Sequence, residues 1–450
     1  MRDRFVVWPV AAYLLLSLVV PCGALGQDNA AVSPEVSFTE AVRTALSNAR
    51  EVRLASEDVR ITAEDRTRAA AGWLPRLDAS SDFTALSEPP SVFIQGNSIQ
   101  TADQNIWRAR MTAEQTIYDF GRTSSRVDQA EARIDNAARL EAVARERQAF
   151  DVISAFLSAK RAEELLKVAE ESLTTARDHR RVAGDQYDLG VVAKNDVLAA
   201  DVQVANAEAG RITAENGVEL SRSRLALRMG YPGDRSVKPA PGAFPVPGEM
   251  GASISESLGA ALEKRNELRA QDAIVREGEA SVATARTEFT PTFFGQGGYA
   301  YEANDLNPHK SVFSILVGWK VNLFSGFADE AALRKARLTV GRRKEVLGKL
   351  RDEIALEVKA SHLFVTEAEK RKAVAEVAVA RAEENLRIQN DRYLGGLSIS
   401  TEVLDAQTLL TRAKVDRQNA IYDLFEAQYR LLAARGELLD FLAPLIVAGR

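Results

Sequence analysis

Two stretches of the chain alternate between apolar and polar positions. In the clearer one, Phe313, Ile315, Val317, Trp319, Val321 and Leu323 are interleaved with Ser314, Leu316, Gly318, Lys320 and Asn322. A period of two puts the first set on one face of a strand and the second on the other. In the earlier stretch Trp107, Ala109, Met111, Ala113 and Ile117 alternate with Arg108, Arg110, Thr112, Glu114 and Thr116, and Gln115 breaks the pattern. Partner strands are expected at Leu77–Leu86 and Phe293–Tyr301, joined to the first two by polar loops at 87–105 and 302–310. Each strand is about 10 residues, the length a tilted strand needs to cross a bilayer, and alternates as a barrel wall does. A soluble antiparallel sheet with one buried face would alternate in the same way. Four strands do not close a barrel, and an open edge is not viable in lipid, so a membrane sheet here needs strands from several chains.

Elsewhere the apolar positions recur at helical spacing. Val403, Leu410, Arg417, Leu424 and Leu431 form one row of sevens, and Ala406, Ala413, Ala420, Ala427 and Ala434 form another. A 3.5-residue repeat over five heptads signals a coiled coil, and alanine along one row brings neighbouring helix axes close together. An ordinary amphipathic helix in a bundle is the alternative. The same rows occur 206 residues earlier, as Val197, Val204, Arg211, Val218 and Leu225 beside Ala200, Ala207, Ala214, Ser221 and Arg228. The turns before them match as well: Tyr187 aligns with Tyr393, Gly190 with Gly396, Asp196 with Glu402 and Leu198 with Leu404. The chain is a duplication.

Each copy opens on a helical pattern, Ser37 to Trp73 and about Ser253 to Phe289, ended by Pro75 or Pro291. Ser37 and Glu40 have capping-box spacing. The strand pairs follow, expected at about 77–118 and 293–323, and end at Tyr118-Asp-Phe-Gly121 and Leu323-Phe-Ser-Gly326. No proline then interrupts the helical pattern before the hairpin turns at Gly190 and at Gly395 and Gly396. The second such stretch is roughly 100 Å long as one helix. The division is therefore 1–26 signal peptide, 27–230 first repeat, 231–252 Pro-rich linker, 253–439 second repeat and 440–450 C-terminal tail.

Composition narrows the function. The net charge of −5 argues against a nucleic-acid partner. Residues 73–120 and 289–327 hold half of the aromatics in about a fifth of the chain, which suits membrane-interface girdles. Arg2 and Arg4, the apolar run from Phe5 to Val20 and Ala24-Leu-Gly26 fit a signal peptide cleaved after Gly26. Cys22, the only cysteine, would leave with it or else carry a lipid; without it no thiol chemistry remains. His179, His309 and His362 are far apart, and no zinc spacing, nucleophile elbow or phosphate loop appears. An enzyme, a cofactor and a metal site are not expected, and the chain has no nucleotide loop with which to draw on ATP.

Three acids stand out. Asp196 and Glu402 each fall in a first helical turn after Asn195 or Thr401, where a carboxylate favours the positive helix end. Asp405 lies a turn further in and shares a face with Glu402. In a symmetric oligomer both become rings of negative charge, which favour cations and can gate a pore.

The duplicated order helix, two strands, long helix, glycine turn, helix resembles the TolC family of outer-membrane efflux channels, over Ser37 to Leu439. The most specific pieces are Tyr393-Leu-Gly-Gly-Leu through Glu402-Val-Leu-Asp-Ala406, and Tyr118-Asp-Phe-Gly121. The resemblance implies a mainly α protein with membrane β structure: a homotrimer whose twelve-stranded outer-membrane barrel continues as a coiled-coil periplasmic tunnel, belted mid-way by an equatorial region that includes the Pro-rich linker. It implies a passive exit duct of a tripartite efflux or type I secretion system, docking through a periplasmic adaptor (membrane fusion) protein to an inner-membrane pump or secretion ATPase. The acidic entrance ring carries over onto Glu402 and Asp405. In some members a basic residue four positions before the first ring acid latches the closed state; here that position is Ser398, so Asp196 lacks such a partner. The rival reading is a secreted periplasmic coiled-coil adaptor or scaffold without a pore.

Overall fold

The computed structural model of the chain describes residues 35–242, 244–248 and 253–448. The expected signal peptide, Cys22 and part of the Pro-rich linker lie outside the described residues. The first half runs β1 (Glu35–Val36), α1 (Phe38–Asn48), α2 (Arg50–Ala70), β2 (Arg76–Ala85), β3 (Ser91–Ile94), β4 (Asn97–Gln100), β5 (Asn105–Tyr118), α3 (Arg122–Asp188) and α4 (Lys194–Arg228). The second runs β6 (Lys238–Pro239), α5 (Ile254–Lys264), α6 (Asn266–Arg286), β7 (Thr292–Ala303), β8 (Ser311–Lys320), α7 (Ala328–Leu394), α8 (Ser400–Ala434) and α9 (Leu438–Ala448). The long helices of the two copies have equal lengths: 67 residues for α3 and α7, 35 for α4 and α8. None of the described helices is long and apolar enough to cross a membrane.

Strands β2, β5, β7 and β8 form one antiparallel sheet in that order. The register sets Ala79 beside Met111, Met111 beside Tyr299 and Tyr299 beside Phe313, so the apolar sets of all four strands share one face. That face is bare in the single chain; Ile315 is 90% exposed. On the opposite face Arg108 sits between Asp82 (3.7 Å) and Glu302 (3.1 Å). Gln115, which breaks the alternation, donates from Nε2 to the carbonyls of Trp73 and Thr116, both at 2.9 Å. A bulge follows between Thr116 and Tyr118 and returns Tyr118 to the face of Phe293.

Three expectations need correction. Strand β8 stops at Lys320 rather than Leu323, because its partner β7 begins opposite at Thr292 and Pro291 before it has no N–H to donate. The loop at 87–105 contains the β3–β4 hairpin, turned by Gln95 and Gly96 at φ of 52° and 87°, a pair of left-handed residues that matches strand twist. The opening helix of each copy is two helices, broken at Ala49 (φ −60°, ψ 134°) and Arg265 (φ −63°, ψ 124°). Beyond these, the C-terminal tail at 440–450 is mostly helix α9, which buries Leu442 in the central core.

Each of those two breaks sits under a glycine turn that sequence reasoning did not single out. Gly230 (φ 86°) ends α4, and a Cβ there would lie 2.7 Å from the Asn48 carbonyl oxygen. Gly436 (φ 70°) ends α8 against Lys264 and Arg265, where a Cβ would approach to 3.3 Å.

The central core gathers Phe38, Phe156, Tyr429 and the linker residue Phe244; Phe38 meets Phe156 edge-on at 5.5 Å. Tyr429 donates its hydroxyl to the Pro245 carbonyl, so part of the linker straps this core. At the same level Glu146 of α3 is largely buried, with Oε1 unpartnered. Arg265 beside it is already held by Glu267 (2.8 Å) and Glu357. Burial, then the like charge of Glu267, pushes the Glu146 carboxyl up to about 7.

Candidate functional site at the hairpin tips

The long helices turn back at two tips, Leu189–Ala193 and Gly395–Ile399. Both are Schellman turns: Val191 N–H reaches the Gln186 carbonyl at 2.9 Å and Leu397 N–H the Arg392 carbonyl at 2.8 Å. Gly190 (φ 73°) and Gly396 (φ 70°) take the left-handed position, which an L side chain strains to adopt. Gly395 has φ −77° and carries no such demand. Gly121 (φ 90°) and Gly326 (φ 63°) take left-handed positions at the strand-to-helix turns, each beside a left-handed phenylalanine, Phe120 or Phe327. There Asp119 accepts from the Thr123 N–H at 2.8 Å in the first copy, whereas Ser325 donates to Asp329 at 2.7 Å in the second.

The returning helices start earlier than their cap-type residues suggest. Their N-caps are Ala193 and Ile399, extended residues without side-chain caps, rather than Asn195 and Thr401. The Schellman geometry leaves the backbone extended at those positions, and their carbonyls already accept from the N–H groups of Asp196 (3.0 Å) and Glu402 (3.1 Å). Both acids still lie in the first turn.

The structure separates the candidate acids. Glu402 and Asp405 are exposed on α8. Ser398 donates to Glu402 at 2.6 Å, and Arg392 stands 3.7 Å from the same carboxylate. Asp405 makes no ion pair among the described residues. It is the bare charge of the two, while that of Glu402 is partly compensated. Asp196 is half-buried on the other side, toward His179 and Tyr393.

His179 is the residue that sequence reasoning missed. It is buried on α3 in line with Ala176 and Ala183, its Nε2 is 2.9 Å from Ser400 Oγ, and its ring lies 5.1 Å from that of Tyr393. The available signal was a ring nitrogen on an otherwise alanine-rich seam. Burial holds its pKa below the usual histidine range, opposed by Asp196. Tyr393, Leu386, Val403 and Ala406 pack around this point with Val182 and Val192. Among the described residues no cluster of histidine, cysteine and carboxylate side chains could hold a metal ion.

A sequence profile of the family described as "Outer membrane efflux protein" matches residues 41–231 and 258–437. The chain is 24% identical over 428 residues to Protein CyaE of Bordetella pertussis, covering 90% of this chain and 85% of that one. It is 20% identical over 444 residues to outer membrane efflux protein BepC of Brucella suis, covering 97% and 92%. Its fold superposes on the crystal structure of the outer membrane protein VceC of Vibrio cholerae with a TM-score of 0.76 at 18% identity, covering 89% and 96%.

Proposed function

The chain belongs to the outer membrane efflux protein family, and we propose that its exit duct is entered, gated and charge-selected at the hairpin tips. It is an outer-membrane channel of the efflux and secretion type, with its helical part in the periplasm. Channels of this family are trimers that work with an adaptor and an inner-membrane pump. Three chains bring twelve strands, which is how a sheet with one bare apolar face and two free edges becomes viable in lipid. A poreless periplasmic scaffold would leave that face in water.

One observation carries the assignment of selectivity to the tips. The polar face of the sheet holds Arg76, Arg108, Arg110 and Lys320 against Asp78, Asp82, Glu114 and Glu302, so its charge cancels. At the tip of the second hairpin Asp405 is uncompensated. Glu402 and Asp405 form the entrance ring, with Asp405 the stronger member because Ser398 and Arg392 engage Glu402. Asp196 and Ser398 belong to the gate, and Gly190, Gly395 and Gly396 form the tips that would move. Transport itself is passive and non-enzymatic; energy comes from an inner-membrane pump or secretion ATPase reached through a periplasmic adaptor. Residues 1–26 act as a cleaved signal peptide, and 27–230 and 253–439 are the two repeats, joined through the linker 231–252.

The test is reversal potential in planar bilayers under a salt gradient. Asp405→Ala should weaken cation preference more than Glu402→Ala, and the double variant most of all. Unchanged selectivity in the double variant would sink the ring.

A further inference from the structure

We propose that His179 and Ser400 form a proton-sensitive latch holding the two hairpins of one protomer together at the closed entrance. The proposal rests on the gated-entrance reading above. Ser398 stands where the resemblance implies a basic latch residue in some members, so a latch of that design is not available to the tips here. The ion pairs around them stay within one hairpin: Arg180 with Asp201 (2.9 Å), Arg392 with Glu402 (3.7 Å). Among the described residues, the tipmost polar contact that crosses between hairpins is His179 Nε2 to Ser400 Oγ, at 2.9 Å and buried. The next, Thr411 to Ser172 (3.1 Å) and Lys414 to Glu171 (2.5 Å), lie about three turns further up α8.

The chemistry at this point favours a neutral imidazole. Ser400 is the first residue of α8, so a proton added to His179 would face the positive end of that helix in a desolvated pocket. From α4 only Asp196 favours the charged form. The facing group of α7 is the Tyr393 phenol, itself pushed up by burial and then by Asp196. On α8 the carboxylate closest in sequence to Ser400, Glu402, is engaged by Ser398, and on α3 Arg180 is engaged by Asp201. In the separated arrangement His179 would be solvated and titrate near its ordinary value of about 6.5. The closed arrangement is therefore favoured above that value and loses its advantage as pH falls toward the lowered value of the buried ring. Acid on the hairpin side unlatches the entrance.

The experiment is open probability in planar bilayers, with the hairpin side held at pH near 7.5 and then near 5.5. The unaltered protein should open about threefold more often or better in acid. His179→Gln, which keeps a donor toward Ser400 but does not titrate, should stay mostly closed at both. His179→Ala and Ser400→Ala should be more open at neutral pH. A pH response retained in His179→Gln would overturn the proposal, as would His179→Ala remaining as closed as the unaltered protein. The ring acids are present in every variant, so their own titration cancels in the comparison. A protein that conducts under no condition would count against the channel reading instead. Spin labels at Leu189→Cys and Leu397→Cys, both on exposed tip residues, then read hairpin separation directly. Separation that does not grow on acidification overturns the latch.

Discussion

Glu146→Gln should make the protein more stable, and only above acidic pH. Glu146 of α3 is largely buried with an unpartnered oxygen, and its neighbour Arg265 is committed to Glu267 and Glu357. Its carboxyl is raised from 4.5 to about 7. A group raised in the folded state contributes stability that is complete below the unfolded value and is lost as pH rises through the folded one. Between pH 4.5 and 8 the difference amounts to at most about 3 kcal/mol, from 1.36 kcal/mol per unit. Movement of Arg265 toward Glu146 on ionisation would bring that down to about 1–2 kcal/mol per protomer. Glutamine keeps the volume and the neutral hydrogen-bonding capacity of the protonated acid without ever ionising. The assay is thermal unfolding of the detergent-solubilised protein followed by circular dichroism, at one scan rate, at pH 4.5 and pH 8. The expected Tm gain is about 1–2 °C at pH 8 and near zero at pH 4.5. An equal shift at both pH values, or a loss at pH 8, would refute the argument that an ionised Glu146 is what strains this layer.

Two further pairs of variants separate geometry from composition. Gly230→Ala forces an L residue to φ 86° with its Cβ 2.7 Å from the Asn48 carbonyl, and should cost roughly 3 kcal/mol or more. Gly395→Ala, at φ −77°, should change stability by less than about 0.5 kcal/mol; both are read from thermal unfolding. Ile315→Arg, on the bare sheet face, should cost about 2–4 kcal/mol at mid-membrane depth and cut the outer-membrane fraction on immunoblots, whereas Thr112→Arg on the polar face should leave insertion intact.

What could be read from the amino-acid order was whatever follows from local period. The row of sevens from Ala406 is buried at Ala406, Ala420, Ala427 and Ala434, and the alternating strands fall on the faces their period assigns. What could not be read was imposed from a distance. The break at Ala49 has no proline or glycine of its own; it accommodates the α4 turn at Gly230, far along the chain. His179 looked partnerless because Ser400 is 221 residues away. The helix caps moved by two residues because backbone turn geometry, rather than Asn195 or Thr401, fixed where the helices restart. Of the candidate site, the acids and tip glycines were visible from the repeat, while Arg392 near Glu402 became meaningful only once the turn was folded.

The equal helix lengths of the two copies make the duct a ruler with two matched scales. If α7 alone were shortened, one tip would rise above the other and the contact between His179 and Ser400 would be lost. An engineered duct of different reach must therefore change α3, α4, α7 and α8 together, and in steps of seven residues to keep the alanine rows facing inward. Each such step moves the entrance by about 10 Å. A designer fitting this channel to a wider or narrower periplasm can thus adjust it only in discrete notches.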